Sequence, residues 1–188
     1  GGVDAYLSLR ARSPGLSRAA IDAAVAGHEA QVMPAVRGCV YLVARRHAAL
    51  CMRIAAGLTA ERNAKEFVKA GIKKGELAKV GKAVVAALAG GPLGTDALKK
   101  ALPGVVRSLG ETGKKVGISS TLPPALRVLE HEGAIERTLQ DGRLDGERYL
   151  WRRSAENGDV QVPDKREAQL AALAELYFGA AGLAPLAA

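Results

Sequence analysis

The chain has 188 residues and a formal net charge of +8, from 27 lysines and arginines against 19 aspartates and glutamates. This length allows one domain or two small ones, and it is sufficient to bury a core. With two cysteines, three histidines and no Cys-x-x-Cys pair, the sequence lacks a zinc-binding pattern, so we expect a reducing compartment, no metal and no cofactor.

Charge and hydropathy indicate the kind of partner. No apolar run reaches transmembrane length and the first residues lack the order of a signal peptide, so we expect a cytoplasmic protein that does not enter a membrane. A computed pI near 9.7 favours a polyanionic partner such as nucleic acid, although a basic pI is also common in proteins that bind none.

Residues 1–58 predict two helices, two strands and a further helix. Apolar residues recur at near-helical spacing in GGVDAYLSLRAR, and Ser17 can cap a second helix that ends at Gly27. The stretch AQVMPAVRGCVYLVA then alternates like two strands on either side of Arg37-Gly38. Helices followed by a hairpin are typical of a winged helix, so we interpret this region as an incomplete first winged helix that lacks its opening helix.

Residues 59–90 predict connecting helices with a basic surface. We expect Thr59 to cap a helix that runs through Ala70, and a later helix from Glu76 to Leu88 to open the next winged helix. The sequence leaves open whether the lysines here form a solvated face or contact phosphates. These lysines are Lys65, Lys69, Lys73, Lys74, Lys79 and Lys82.

Residues 91–153 predict a central winged helix around which the chain is organised. A helix from Thr95 to Leu102 is followed by a polar connection and a second helix from Thr121 to Glu132, which Ser120 or Thr121 can cap and which Gly133 stops. Two strands, Ala134 to Leu139 and Glu147 to Arg153, form the wing. In this motif the second helix enters a major groove while the wing reaches along the backbone.

Basic and hydroxyl side chains of the central unit are candidate DNA ligands. Hydroxyls at a helix N-terminus can hold a phosphate, and lysine and arginine neutralise backbone charge. From Lys99 to Arg153 there are eleven basic and seven acidic residues, a net +4. Alternatively, Arg148, Arg152 and Arg153 pair with Glu136 or Glu147 across the wing. The predicted DNA-binding residues are Lys114, Lys115, Ser119, Ser120, Thr121, Arg127, Arg137, Arg143 and Arg148.

Catalytic patterns are not found in the sequence. It contains no Gly-x-x-x-x-Gly-Lys loop, no His-Glu-x-x-His and no Gly-x-Ser-x-Gly. Gln31 is more typical of a strand surface than of catalysis, and the cluster of Glu130, His131 and Glu132 is typical of an exposed helix end. Residues 154–188 predict a polar linker and a helix from Asp164 to Phe178, ended by Gly179, that leads toward a further domain.

Four segments, taken in order, resemble a known family: GVDAYLSLRARSPGLSRAAIDAAV, MPAVRGCVYLV, GPLGTDALKKAL to LPPALRVLEHEGAI, and LAALAELYFGAAG. Together they resemble the winged-helix DNA-binding family that includes the bacterial crosslink-repair DNA glycosylases of the AlkZ/YcaQ type. The resemblance covers nearly the whole chain, and the order of the segments is more specific than any one of them.

The resemblance implies a mainly α fold with small β-hairpins (α+β), built from tandem winged helix-turn-helix domains that surround double-stranded DNA. It also implies a repair function, the excision of alkylated bases. In the family's enzymes a Gln-x-Gln or Gln-x-Asp motif positions or activates water; it should fall just before Gly1, and none is present at the start of the sequence. Either the beginning of the chain is missing, or the protein belongs to relatives that keep the DNA-binding scaffold without this chemistry. The helix ending in YFGAAG normally leads into a third winged helix, so we expect a chain truncated at both ends; we also expect a monomer. The alternative is a non-catalytic winged-helix transcriptional regulator that binds duplex DNA.

Overall fold

The computed structural model describes residues 4–35, 39–146, 148–154 and 162–181. These residues form a mainly helical structure with two small antiparallel β-hairpins, which confirms the predicted α+β class. The elements are α1 (Asp4–Arg12), α2 (Arg18–Ala26), β1 (Ala30–Ala35), β2 (Cys39–Ala44), α3 (Arg45–Lys69), α4 (Glu76–Ala87), a 3-10 turn (Leu88–Gly90), α5 (Thr95–Ala101), α6 (Gly110–Lys114), α7 (Leu122–His131), β3 (Ile135–Leu139), β4 (Tyr149–Arg153) and α8 (Arg166–Ala181).

Each hairpin follows a pair of helices. In the first hairpin Ala30 of β1 lies opposite Ala44 of β2, and the predicted Arg37-Gly38 turn lies outside the described residues. In the second hairpin Ile135 lies opposite Arg153. Leu93 adds to the outer edge of β4, because its backbone exchanges hydrogen bonds of 2.9 and 2.8 Å with Trp151.

The helix ends show which predicted caps operate. Ser17 caps α2 as expected, since its Oγ accepts a hydrogen bond of 3.1 Å from the backbone N–H of Ala20. The predicted cap of α7 is wrong: α7 has no side-chain cap, although prolines occupy its first turn. Gly133 follows α7 with a φ of +72°, a left-handed conformation that glycine adopts without strain.

Helix α3 differs most from the prediction. It runs without a break from Arg45 to Lys69, so the predicted boundary between residues 58 and 59 falls inside it. Thr59 does not cap a new helix, because its hydroxyl donates a hydrogen bond of 2.8 Å to the Ala55 carbonyl one turn earlier. The sequence also missed α6, and α8 continues past Gly179 to Ala181.

The largest core lies in the central unit, where α7 packs against α4, α5 and the second hairpin. Val80 and Val84 of α4 face Leu122 and Leu126 of α7, and all four side chains are buried. Burial of such side chains stabilises the fold by about 1.5–3 kcal/mol each relative to exposure. This core fixes α7 between α4 and the sheet.

The loop between β3 and β4 docks on the first two helices. Leu144 is buried against Tyr6 and Ile21, and its backbone N–H donates to the Tyr6 hydroxyl at 2.8 Å and to Asp22 at 3.1 Å. Arg18 of α2 also pairs with Asp145 of this loop. This part of the loop is therefore packed against the protein, while contact of the wing with a DNA backbone stays a prediction.

A buried ion-pair network joins the two hairpins. The Glu136 carboxylate of β3 accepts hydrogen bonds from Arg45, the first residue of α3, at 2.6 Å and from Nε of Arg152 on β4 at 2.7 Å. Arg152 also contacts the ring nitrogens of His28 at 2.6 and 3.1 Å, while Arg45 donates to Gln31 at 3.0 Å. We call Glu136, Arg45 and Arg152 the hairpin clamp. The pairing of Arg152 with Glu136 confirms the alternative given for the wing arginines at Arg152 but not, among the described residues, at Arg148 or Arg153.

Candidate nucleic-acid interface

A polar face of α3 lines an open cleft of about 580 Å³. Thr59, Arg62, Asn63 and Glu66 recur at helical spacing, so they lie on one face of α3. Arg127 and Glu130 of α7, Arg137 of β3 and Trp151 of β4 form the facing walls, together with Pro34 and Val40 of the first hairpin. The cleft is thus built from both halves of the molecule.

A second depression of about 630 Å³ continues the cleft along α3 and shares Arg62 and Glu66 with it. It extends to Val116, the residue after Lys115. We call the two depressions together the α3 groove. Five basic residues and three acidic residues line it, a net +2. These are Arg62, Lys65, Lys69, Arg127 and Arg137 against Glu61, Glu66 and Glu130.

Arg127 forms the contact between α7 and α3 inside the groove. Its Nη1 lies 2.8 Å from Glu66 and 3.2 Å from Oδ1 of Asn63. The Arg127 and Glu66 side chains are 39% and 32% exposed, so solvent weakens their ion pair. This predicted DNA ligand therefore already has a carboxylate partner.

Glu130 and Arg137 form a second pair at the floor of the groove. Two hydrogen bonds of 2.7 and 3.0 Å join them, and the guanidinium lies 5.0 Å from the centre of the Trp151 ring. Burial raises the pKa of Glu130, partly offset by the charge of Arg137. Burial and the positive charge of Arg127 lower the pKa of the neighbouring His131. The expectation that Glu130 is an exposed helix-end residue is wrong.

Five of the predicted DNA-binding residues are exposed: Lys114, Lys115, Ser119, Arg143 and Arg148. Lys114 pairs with Glu111 at 2.7 Å in an exposed, weak contact. Among the described residues, neither Lys115 nor Arg148 has an ion-pair partner. Their positive charges are therefore available to a polyanion.

The other predicted ligands are engaged within the protein. Thr121 is fully buried and exchanges hydrogen bonds with the backbone of Arg107, and Ser120 is buried opposite Ser108. Their hydroxyls cannot hold a phosphate, which corrects the prediction for these two residues. Arg143 is exposed but has a partner, since it donates two hydrogen bonds to Asp145 at 3.0 and 2.9 Å.

Helix α7 is not presented to solvent. Of its ten residues only Pro123 is exposed, because α4 covers its apolar face and α3 and β3 cover its polar face. The sequence pattern shows that α7 has one apolar face, but it does not show that α3 and β3 cover the opposite, polar face. This helix therefore cannot enter a major groove in the described arrangement.

Sequence reasoning missed Arg62, Asn63 and Glu66. Their signal is a polar stripe, begun by Thr59, on a helix whose earlier turns are apolar. The arrangement offers guanidinium and amide donors, which suits an anionic ligand. In the described part of the chain no cluster of three acidic, histidine or cysteine side chains could hold a metal ion, and no helix is long and apolar enough to span a bilayer.

Comparison with known proteins identifies the family. A model of DNA glycosylases of the AlkZ-like type matches residues 3–188, so the chain belongs to the AlkZ-like DNA glycosylase family. Its structure is similar to that of the Streptomyces sahachiroi DNA glycosylase AlkZ, with a TM-score of 0.57 and 18% sequence identity. The match covers 89% of this chain and 44% of that chain, so this chain spans less than half of that protein's length. No curated protein matches the chain.

Proposed function

We propose that this chain binds double-stranded DNA as part of a repair glycosylase that excises alkylated bases. The family match over residues 3–188 carries this proposal. The exposed cations and the net positive α3 groove support it, because neutralising phosphates supplies most sequence-independent affinity for DNA.

We also propose that the hairpins belong to tandem winged helices, with the domain divisions at residues 58, 90 and 153 as a working description. The order α4, Leu93, α5, α6, α7, β3, β4 supports the second unit, with Leu93 as the short strand between α4 and α5. The order α1, α2, β1, β2 supports an incomplete first unit. DNA then lies along α3, between the units, and not on α7.

The covered position of α7 favours a repair protein over a transcriptional regulator. A regulator of this fold reads base edges with its second helix, and α7 exposes only Pro123. Contacts from α3 and from loop cations instead reach the backbone, which carries no direct sequence information. We assign no catalytic residue in the described part of the chain, since Gln31 is already bound to Arg45.

Fluorescence anisotropy with a labelled duplex across a salt series tests the proposal. We expect binding that weakens steeply with salt. In a double variant, Lys115→Glu with Arg148→Glu, the slope of log affinity against log salt concentration (the salt slope) should fall in magnitude by about 2, roughly one for each lost phosphate contact. The charge-matched control is Arg10→Glu with Lys165→Glu, two exposed cations on α1 and ahead of α8. No binding at low salt refutes the proposal. A selection from random duplexes that converges on one site supports the regulator instead.

A further inference from the structure

The middle of the α3 groove contains a cation whose charge is not balanced. Arg62 is exposed, lines both depressions of the groove and has no ion pair among the described residues. The nearby acidic groups are already neutralised, Glu66 by Arg127 and Glu130 by Arg137. The net charge at this point therefore comes from Arg62.

Asn63 provides a directed donor beside it. The residue is only 7% exposed, its Oδ1 accepts from Arg127, and its Nδ2 donates to the Thr59 hydroxyl at 3.4 Å. A side-chain amide nitrogen has two N–H groups, so one remains after this long hydrogen bond. Thr59 already donates to Ala55 within its own helix. The second N–H group of the Asn63 amide can therefore donate a hydrogen bond to a ligand that accepts one.

Arg127 can exchange its present partner. Both described hydrogen bonds of its guanidinium use Nη1, while an arginine carries five N–H donors. The Glu66 side chain is 32% exposed, so the oxygens of another anionic ligand can replace its carboxylate. A phosphate fits this donor set, because arginine and amide N–H groups match its oxygens.

We propose that Arg62, Asn63 and Arg127 form a subsite for one backbone phosphodiester of a DNA strand that lies in the α3 groove, an inference that rests on the proposed DNA binding. Glu66 takes the place of this phosphate when DNA is absent. A stacked base is a poorer ligand for the same cleft, because Arg137 lies against the Trp151 ring and Trp151 itself is buried.

Two substitutions with opposite expected effects test the subsite in duplex binding. Arg62→Gln should weaken binding by about threefold to tenfold and lower the salt slope by about 1. Glu66→Gln should tighten binding by about twofold or more, because it removes a competing negative charge and frees Arg127. A purely structural role for Glu66 predicts a loss instead. The control Arg53→Gln changes an exposed arginine of α3 that lies outside the groove.

The results can separate the two proposals. Suppose that the wild-type protein binds DNA and that the Lys115 and Arg148 double variant binds it more weakly. If Arg62→Gln and Glu66→Gln then bind DNA as the control does, the proposed subsite is wrong and the proposed function stands. If the wild-type protein binds no duplex, both fail. The side-chain amide signals of Asn63 in an NMR titration locate the ligand. We expect them to move with a short DNA duplex. Movement with inorganic phosphate but not with the duplex, or no movement with either, overturns the inference.

Discussion

Replacing Glu136 by glutamine tests the hairpin clamp. The carboxylate is 2% exposed and binds two arginines, each about one-fifth exposed. Glutamine keeps the shape of the side chain but removes its negative charge, so Arg45 and Arg152 lose the carboxylate that they share. We expect a large loss of stability, because the buried negative charge that holds these two partly buried arginines together is removed.

The size of this loss follows from the burial of the partners. Breaking a buried ion pair by removing one member costs about 3–5 kcal/mol. Since both arginines keep some contact with water and the glutamine oxygen still accepts a hydrogen bond, we expect about 2–4 kcal/mol. With an m-value of about 2–3 kcal/mol/M in urea, the unfolding midpoint should fall by roughly 1–2 M.

Urea denaturation followed by circular dichroism measures the change. The matched control is Glu61→Gln, which breaks the pair of Glu61 with Lys65 on the surface of α3. That pair is exposed, so its loss should change the free energy of unfolding by less than about 1 kcal/mol. If Glu136→Gln loses no more stability than Glu61→Gln, the clamp does not stabilise the packing of the two hairpins.

Two further predictions concern packing and pH. A Cβ on Gly113 would lie 2.1 Å from the Ile118 carbonyl oxygen, so Gly113→Ala should destabilise the protein by roughly 1–3 kcal/mol. The control is Gly104→Ala, where a Cβ would have no atom within 4 Å, so the melting temperature should stay nearly unchanged. Equal melting temperatures for the two would contradict this. Arg107 lowers the pKa of Glu76 from 4.5 to about 2, so this pair stabilises the fold above about pH 4.5 and its contribution is lost as pH falls toward 2. An NMR titration of the Glu76 carboxyl should give a low midpoint in the wild-type protein and a higher one in Arg107→Ala. An unchanged midpoint in the variant would rule out the arginine as the cause.

Local chemistry made much of the fold predictable. Ser17 and the glycine at position 133 act through neighbouring backbone groups, so their effects on α2 and α7 can be inferred from a few residues of sequence. Thr59 shows the limit of that approach. A threonine can cap a helix, or its hydroxyl can donate a hydrogen bond to a carbonyl of the preceding turn. Because the helix continues on both sides of Thr59, the second arrangement forms.

The candidate site was less predictable because its side chains meet across long sequence separations. Asn63 and Glu66 contact Arg127 from more than sixty residues away, and Thr121 is buried by the segment around Arg107. The charge of Arg127 was visible in the sequence, but the carboxylate that neutralises it was not assigned to it. Exposure of Lys115 agrees with its polar surroundings, while its contact with DNA stays a prediction.

The two ends of α3 are held in different ways, which has a consequence for the groove. Arg45 at the first residue is fixed by the buried Glu136, whereas Glu66 near the other end meets α7 through an exposed pair. The buried contact therefore fixes the start of the helix, while the exposed pair of Glu66 is the one that a DNA phosphate can exchange more readily. The end of α3 itself stays packed, because Phe67 and Ala70 lie in a hydrophobic cluster with Leu109 and Ile118.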